Sequence, residues 1–205
     1  EIKSFSSEMQ EDNSSVDWPK DAIVPTNPGM NRFVWNMRYP DAILLEGGGP
    51  TPKGAAGPRA AVGQYQVLLQ VDGQPQAKQF ELIKDPRVAV TNQDLEEQFN
   101  LLIHIRNRIS ETHNAVHTLR SVRRQVNEWV VRSDATGGNE ILSQRAKVIS
   151  DQLTLVEEEL VRAHEGEYDK ISLPQKLNAK LAELTFVVAS ADAGPTRQSY
   201  HVFDD

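Results

Sequence analysis

The sequence predicts an α+β chain in which a partial antiparallel β-sandwich is followed by an up-and-down helical bundle of three long helices. Two periodicities and one shift in composition predict it. Before Val88 apolar residues recur at every second position, the period of a strand with one face covered; from Thr91 they recur at three- and four-residue steps, the period of a helix. Nine of the eleven prolines and eight of the twelve glycines fall in the first 88 residues, so the residues that break regular structure thin out where the period changes. The expected organisation is therefore a β-domain over 1–88 and a helical domain over 89–205.

In the first part, Phe33, Trp35, Met37 and Tyr39 alternate with mostly polar neighbours and predict a strand with one apolar face. Tyr65, Val67, Leu69 and Val71 repeat the design. Asp72-Gly73 then suits a tight turn, and Phe80 and Leu82 carry the alternation back, so a hairpin is expected over roughly 62–85. "EIKSFSS" reads as the end of a further strand. The stretch "LLEGGGPTPKGAAGPRAA" reads as loop, because glycine and proline join a ladder poorly. Short antiparallel strands with long loops point to a sandwich of the immunoglobulin or fibronectin type III kind. Four strands are legible where such a domain has about seven, which leads to the expectation that the sequence begins partway through the domain.

In the second part, Thr91 is placed to cap a helix with Asp94 three residues on, and the stripe Leu95, Phe99, Leu102, Ile105, Ile109, Val116 continues towards Trp129 over about 40 residues. "SDATGGN" ends it. Leu142, Ala146, Ile149, Leu153, Val156 and Leu160 form a second stripe with seam-like spacing. Pro174 opens a third helix carrying Leu177, Leu181, Leu184 and Val188, and "ADAGPT" stops it. Thr196 can cap a fourth, with Tyr200 and Phe203 as its first buried residues; this helix is expected to continue past Asp205.

Charge and composition narrow the function. A formal charge of −7, spread over both parts, opposes binding to nucleic acid or an anionic membrane, which needs clustered positive charge. The absence of cysteine removes disulfides, thiolate metal sites and cysteine nucleophiles. No apolar run approaches the roughly 20 residues that cross a bilayer as a helix.

Each candidate site has a plain structural counterpart. His113 and His117 in "HNAVH" have the i, i+4 spacing of the zinc-protease helix, but Asn114 stands where that helix carries its glutamate, so surface or seam-edge histidines are expected and a metal-dependent hydrolase is the rival reading. Arg120, Arg123 and Arg124 in "RSVRRQ" are expected on a solvated face near the negative end of the helix dipole. Trp35 and Trp129 fall on apolar stripes and are expected to be buried, which leaves Trp18, in a polar loop, as a candidate for stacking on a sugar ring. Gly47 to Gly49 read as loop. "RYP" resembles the arginine motif of sialidases, but "SSVDWP" lacks the glycine of an aspartate box, and Arg38 is expected on the polar face of its strand. No catalytic residue and no cofactor is assigned.

"NPGMNRFVWNMRYPDA", "GQYQVLLQVDG" and "KDPRV" together resemble the C-terminal region of bacterial exported proteins with sortilin-like BNR/aspartate-box β-propellers, commonly labelled glycosyl hydrolases. The first two stretches are also similar to the immunoglobulin-like module of flagellar hook-capping proteins. The resemblance implies an accessory or interaction module outside the propeller, an extracellular or periplasmic location, and the N-terminal propeller of the same chain as a partner. It carries no catalytic residue across. Apolar stripe left uncovered on the helices adds the expectation of a homodimer through helix packing.

Overall fold

The computed structural model describes residues 1–8, 23–45, 53–162 and 175–204. It is a mixed α+β structure of one two-stranded antiparallel sheet and four helices. Strands β1 (Gly63–Val71) and β2 (Gln74–Leu82) pair along their full lengths, with Tyr65 opposite Phe80 and Val71 opposite Gln74. Both turn residues take positive φ, Asp72 at 48° and Gly73 at 78°, the geometry whose twist matches that of a hairpin.

Among the described residues this is the only ladder, and the alternating run 33–39 is not a strand. The reason is local. Met37 sits at φ 57°, in the left-handed region, while the Asn36 side chain accepts a hydrogen bond from the Arg38 amide and Trp35 Nε1 donates to the Arg38 carbonyl. The chain turns at Met37, leaving a single bridge between Arg38 and Arg59. Amide bonds from Tyr39 to the Pro58 carbonyl and from Ala60 to the Met37 carbonyl hold it. "EIKSFSS" is likewise no strand, although the Val24 amide reaches the Ser6 carbonyl at 3.0 Å.

Helix α1 (Asn92–Ala135) has 44 residues, about 66 Å at 1.5 Å per residue. The expected capping box closes it: the Thr91 hydroxyl accepts from the Asp94 amide while the Asp94 carboxylate accepts from the Thr91 amide. The chain leaves α1 through Gly137 and Gly138, both at positive φ, and the Asn139 side chain caps α2 (Glu140–Leu160). Helices α3 (Leu177–Val188) and α4 (Arg197–Asp204) complete the chain. Thr196 caps α4 as expected, but Tyr200 is exposed and Ser199 is the buried residue, with Phe203 packing against the core. Pro174 and Gly47 to Gly49 lie outside the described residues.

The helices differ from three long neighbours lying side by side. Glu157 and Leu160 of α2 meet α1 near Arg120 and Val116, whereas Leu181, Leu184 and Val188 of α3 join Leu101, Ile105 and Ile109. Gln98 Nε2 reaches the carbonyls of Val188 and Ala191 at 2.7 and 2.6 Å. Helices α2 and α3 thus follow one another along α1, both antiparallel to it, and α3 has only 12 residues.

The first part of the chain shares this core. Ala42 and Ala55 belong to the same apolar cluster as α1 and α3, and Leu45 packs with Val116 and Val161. A 3-10 turn at Lys53–Ala55 lies on α3 so closely that a Cβ on Gly54 would enter the backbone of Ala182.

Candidate functional site

One set of long-range polar interactions joins α1 to the segment Ile43–Leu44. Ser110, His113 and His117, at i, i+3 and i+7, share one face of α1. The Ile43 amide donates to Ser110 Oγ at 3.1 Å, His113 Nδ1 lies 2.5 Å from the Ile43 carbonyl, and His117 Nε2 lies 2.9 Å from the Leu44 carbonyl. A carbonyl only accepts, so Nδ1 of His113 and Nε2 of His117 carry the protons. His113 is fully buried rather than at a seam edge, and its Nε2 has no hydrogen-bond partner among the described residues. Burial holds its pKa below the ordinary histidine value; the bond to Ile43 opposes that shift and the charge of His117 adds to it. Among the described residues no group of three His, Asp or Glu side chains could hold a metal ion. One ring nitrogen of each histidine is turned to a backbone carbonyl, an arrangement that fixes a loop.

The arginines of "RSVRRQ" divide. Arg124 is exposed, but Arg120 and Arg123 are half-buried and close on Glu157, which is 3% exposed. Arg120 Nε donates to Oε1 at 2.7 Å, Arg123 Nη2 forms an ion pair with Oε2 at 3.0 Å, and Arg123 Nη1 donates to Thr154 Oγ1. The expected solvated face is corrected by this carboxylate: two cations were legible on α1, and their anion lies on the next helix.

The tryptophans also depart from expectation. Trp35 is half-buried, its ring centroid 6.4 Å from that of Tyr65, and it is not enclosed between sheets. Trp129 is 63% exposed with the Arg132 guanidinium over its ring at 5.5 Å, because α2 packs on the neighbouring face of α1. Trp18 lies outside the described residues. Arg38 does not lie on a polar strand face; its guanidinium donates to the Gly57 carbonyl at 2.8 Å and pins the two irregular segments together.

Described residues also line concavities, of which two stand out. One, of about 480 Å³, runs along α1 and is lined by that helix alone, including Arg124 and Arg132. The other, of about 330 Å³, lies between the hairpin base and α1 and α3, with Arg38, Arg59, Lys84, Phe99 and Thr185 among its walls. Its lysine is already engaged, since Lys84 Nζ donates to the carbonyls of Val88 and Val90.

What the polar clusters leave open is apolar surface. Along the outer half of β1, Val67, Leu68, Leu69 and Val71 are 52%, 62%, 50% and 56% exposed, so both faces of the ribbon are bare. The alternation predicts a covered face for Val67, Leu69 and Val71, and nothing local in the sequence marks that they stay exposed.

No family model, no curated protein and no solved structure matches this chain. No helix among the described residues is long and apolar enough to cross a membrane.

Proposed function

We propose that the chain is a non-catalytic interaction module of an exported β-propeller protein of the kind labelled glycosyl hydrolase, in which the hairpin docks on a neighbouring β-structure. The observation that carries this reading is the bare ribbon. An isolated two-stranded hairpin is at best marginally stable in water, and here it exposes Val67, Leu68, Leu69 and Val71, with both strand edges unpaired among the described residues. Such a ribbon gains stability by adding to a sheet or packing its apolar side on one. In this proposal β1 and β2 are part of an immunoglobulin-like sandwich, and the propeller of the same chain is the partner.

The polar chemistry supports the same reading, because His113, His117, Arg120 and Arg123 are engaged in holding the module's own segments together. The module would act outside the membrane, as the resemblance to exported proteins implies.

Hydrogen exchange tests it. Amides of residues 64–71, 74 and 76–82 should exchange markedly more slowly in the intact parent protein than in the 205-residue chain. Equal exchange in the two would overturn the docking.

A further inference from the structure

Helix α2 has two apolar faces, and only one of them meets α1. Ala146 and Leu153, with Glu157, turn towards α1. Nearly half a turn away, Ile141, Val148 and Leu155 are 67%, 56% and 65% exposed, and about a sixth of a turn away on the same side Leu142, Ile149 and Val156 are half-exposed. Both trios repeat every seven residues, so each forms a column along the helix. Between the two columns, also at seven-residue steps, run Arg145, Gln152 and Glu159, all exposed. The remaining side is polar, with Gln144, Lys147, Asp151 and Glu158.

The order of that middle column selects the occupant. Read forwards it is basic, amide, acidic; read backwards it is acidic, amide, basic. An antiparallel copy with its two-fold axis at Gln152 therefore sets Arg145 against Glu159 of the second copy, Glu159 against its Arg145, and Gln152 against itself. The same axis keeps each aliphatic column on its own side of the seam, setting Val148 beside Leu155 of the second copy and Ile149 beside its Val156, so charge and apolar registers agree. A parallel pair would instead place like charges together at both ends. Glu159 approaches Lys176 at 3.7 Å, and its side chain remains 82% exposed and available.

We propose that the outer face of α2 is a homodimerisation surface, on which two copies of this chain pair antiparallel about Gln152 with reciprocal Arg145–Glu159 contacts. Complementary charges of this kind set register and orientation, while the flanking aliphatic columns supply the burial. The surface is separate from the hairpin and does not depend on a propeller partner, so its test uses the 205-residue chain alone.

Sedimentation equilibrium over a concentration series should show a monomer–dimer equilibrium. Arg145→Glu and Glu159→Arg should each weaken it by about tenfold or more, a difference of about 1.4 kcal/mol. The double reversal should return the association to within a few-fold of the original, with helical circular dichroism unchanged throughout. Because the chain has no cysteine, Gln152→Cys should oxidise to a single disulfide-linked dimer, whereas Asp151→Cys, on the polar side, should not. A strictly monomeric chain at high concentration would overturn the proposal. So would a double reversal no better than either single variant.

Discussion

The Nδ1 atom of His113 and the carbonyl oxygen of Ile43 lie 2.5 Å apart, joining residues 70 positions distant in sequence. The burial of the His113 ring at this contact, which the bond to Ile43 only partly offsets, makes stability depend on pH. Burial depresses the folded-state pKa of His113, so the unfolded chain binds more protons in the interval below the ordinary histidine value of about 6.5. The contribution is complete above that value and is lost as pH falls through the folded pKa. Urea denaturation between pH 7.5 and 5 should show declining stability, and His113→Asn should flatten the decline. A variant with the wild-type slope would assign the effect to other groups.

The Arg120–Glu157–Arg123 cluster should respond asymmetrically to mutation. Replacing both arginines by methionine leaves a buried carboxylate with no cation and should cost about 3–5 kcal/mol, whereas adding Glu157→Leu to that pair should recover most of the loss. Glu157→Gln alone should cost less, because Arg120 and Arg123 are each about a quarter exposed and can turn to solvent. Denaturant midpoints of the four proteins check the order. If the triple variant were no more stable than the double, the carboxylate would not be the source of the cost.

Gly54→Ala should be among the most damaging small substitutions. The added methyl would meet the carbonyl oxygen, Cα and carbonyl carbon of Ala182, all backbone atoms that cannot rotate away. Separating the 3-10 turn from α3 opens the cluster containing Ala55 and Leu181, at an expected cost of at least the ~1–3 kcal/mol of core overpacking. Thermal unfolding gives the answer directly, and an unchanged midpoint would mean that the turn does not pack on α3 in solution.

Trp35→Ala should be milder than the several kcal/mol of a core aromatic. The indole is half-buried, donates one hydrogen bond to the Arg38 carbonyl and makes one distant ring contact, so roughly 1–2 kcal/mol is expected from the lost bond and partial burial. A loss above 4 kcal/mol would show that the residue is enclosed.

Features encoded within a few residues were legible in the sequence. Thr91 and Asp94 announce the start of α1, and Asp72-Gly73 announces the hairpin turn, because each device is complete within four positions. The run 33–39 misleads for the same reason: alternation states which residues are apolar, but Asn36 bonding the Arg38 amide and Met37 entering the left-handed region are not visible in it. Long-range partners were hidden altogether. Nothing near "HNAVH" points to the Ile43 and Leu44 carbonyls, and nothing near "RSVRRQ" points to Glu157. In α2 the apolar spacing predicts one seam, yet Leu142, Ile149 and Val156 flank it while Thr154 and Glu157 face α1.

The unequal covering of α1 divides its cooperativity. Its buried residues, Leu101, Ile105, Ile109, Thr112, His113 and Val116, all precede Arg120, and among the described residues the remainder is accompanied by α2, in which Ala146 and Glu157 are the buried residues. One continuous helix therefore spans two regions of different opening free energy, and local unfolding follows buried contacts rather than helix boundaries. Amides of 99–116 should report the global unfolding transition, while those of 124–134 and 141–152 should open at lower free energy in a monomeric sample. Under increasing denaturant α1 would then melt from its C-terminal end inward, with the loop held by Ser110, His113 and His117 among the last parts to let go.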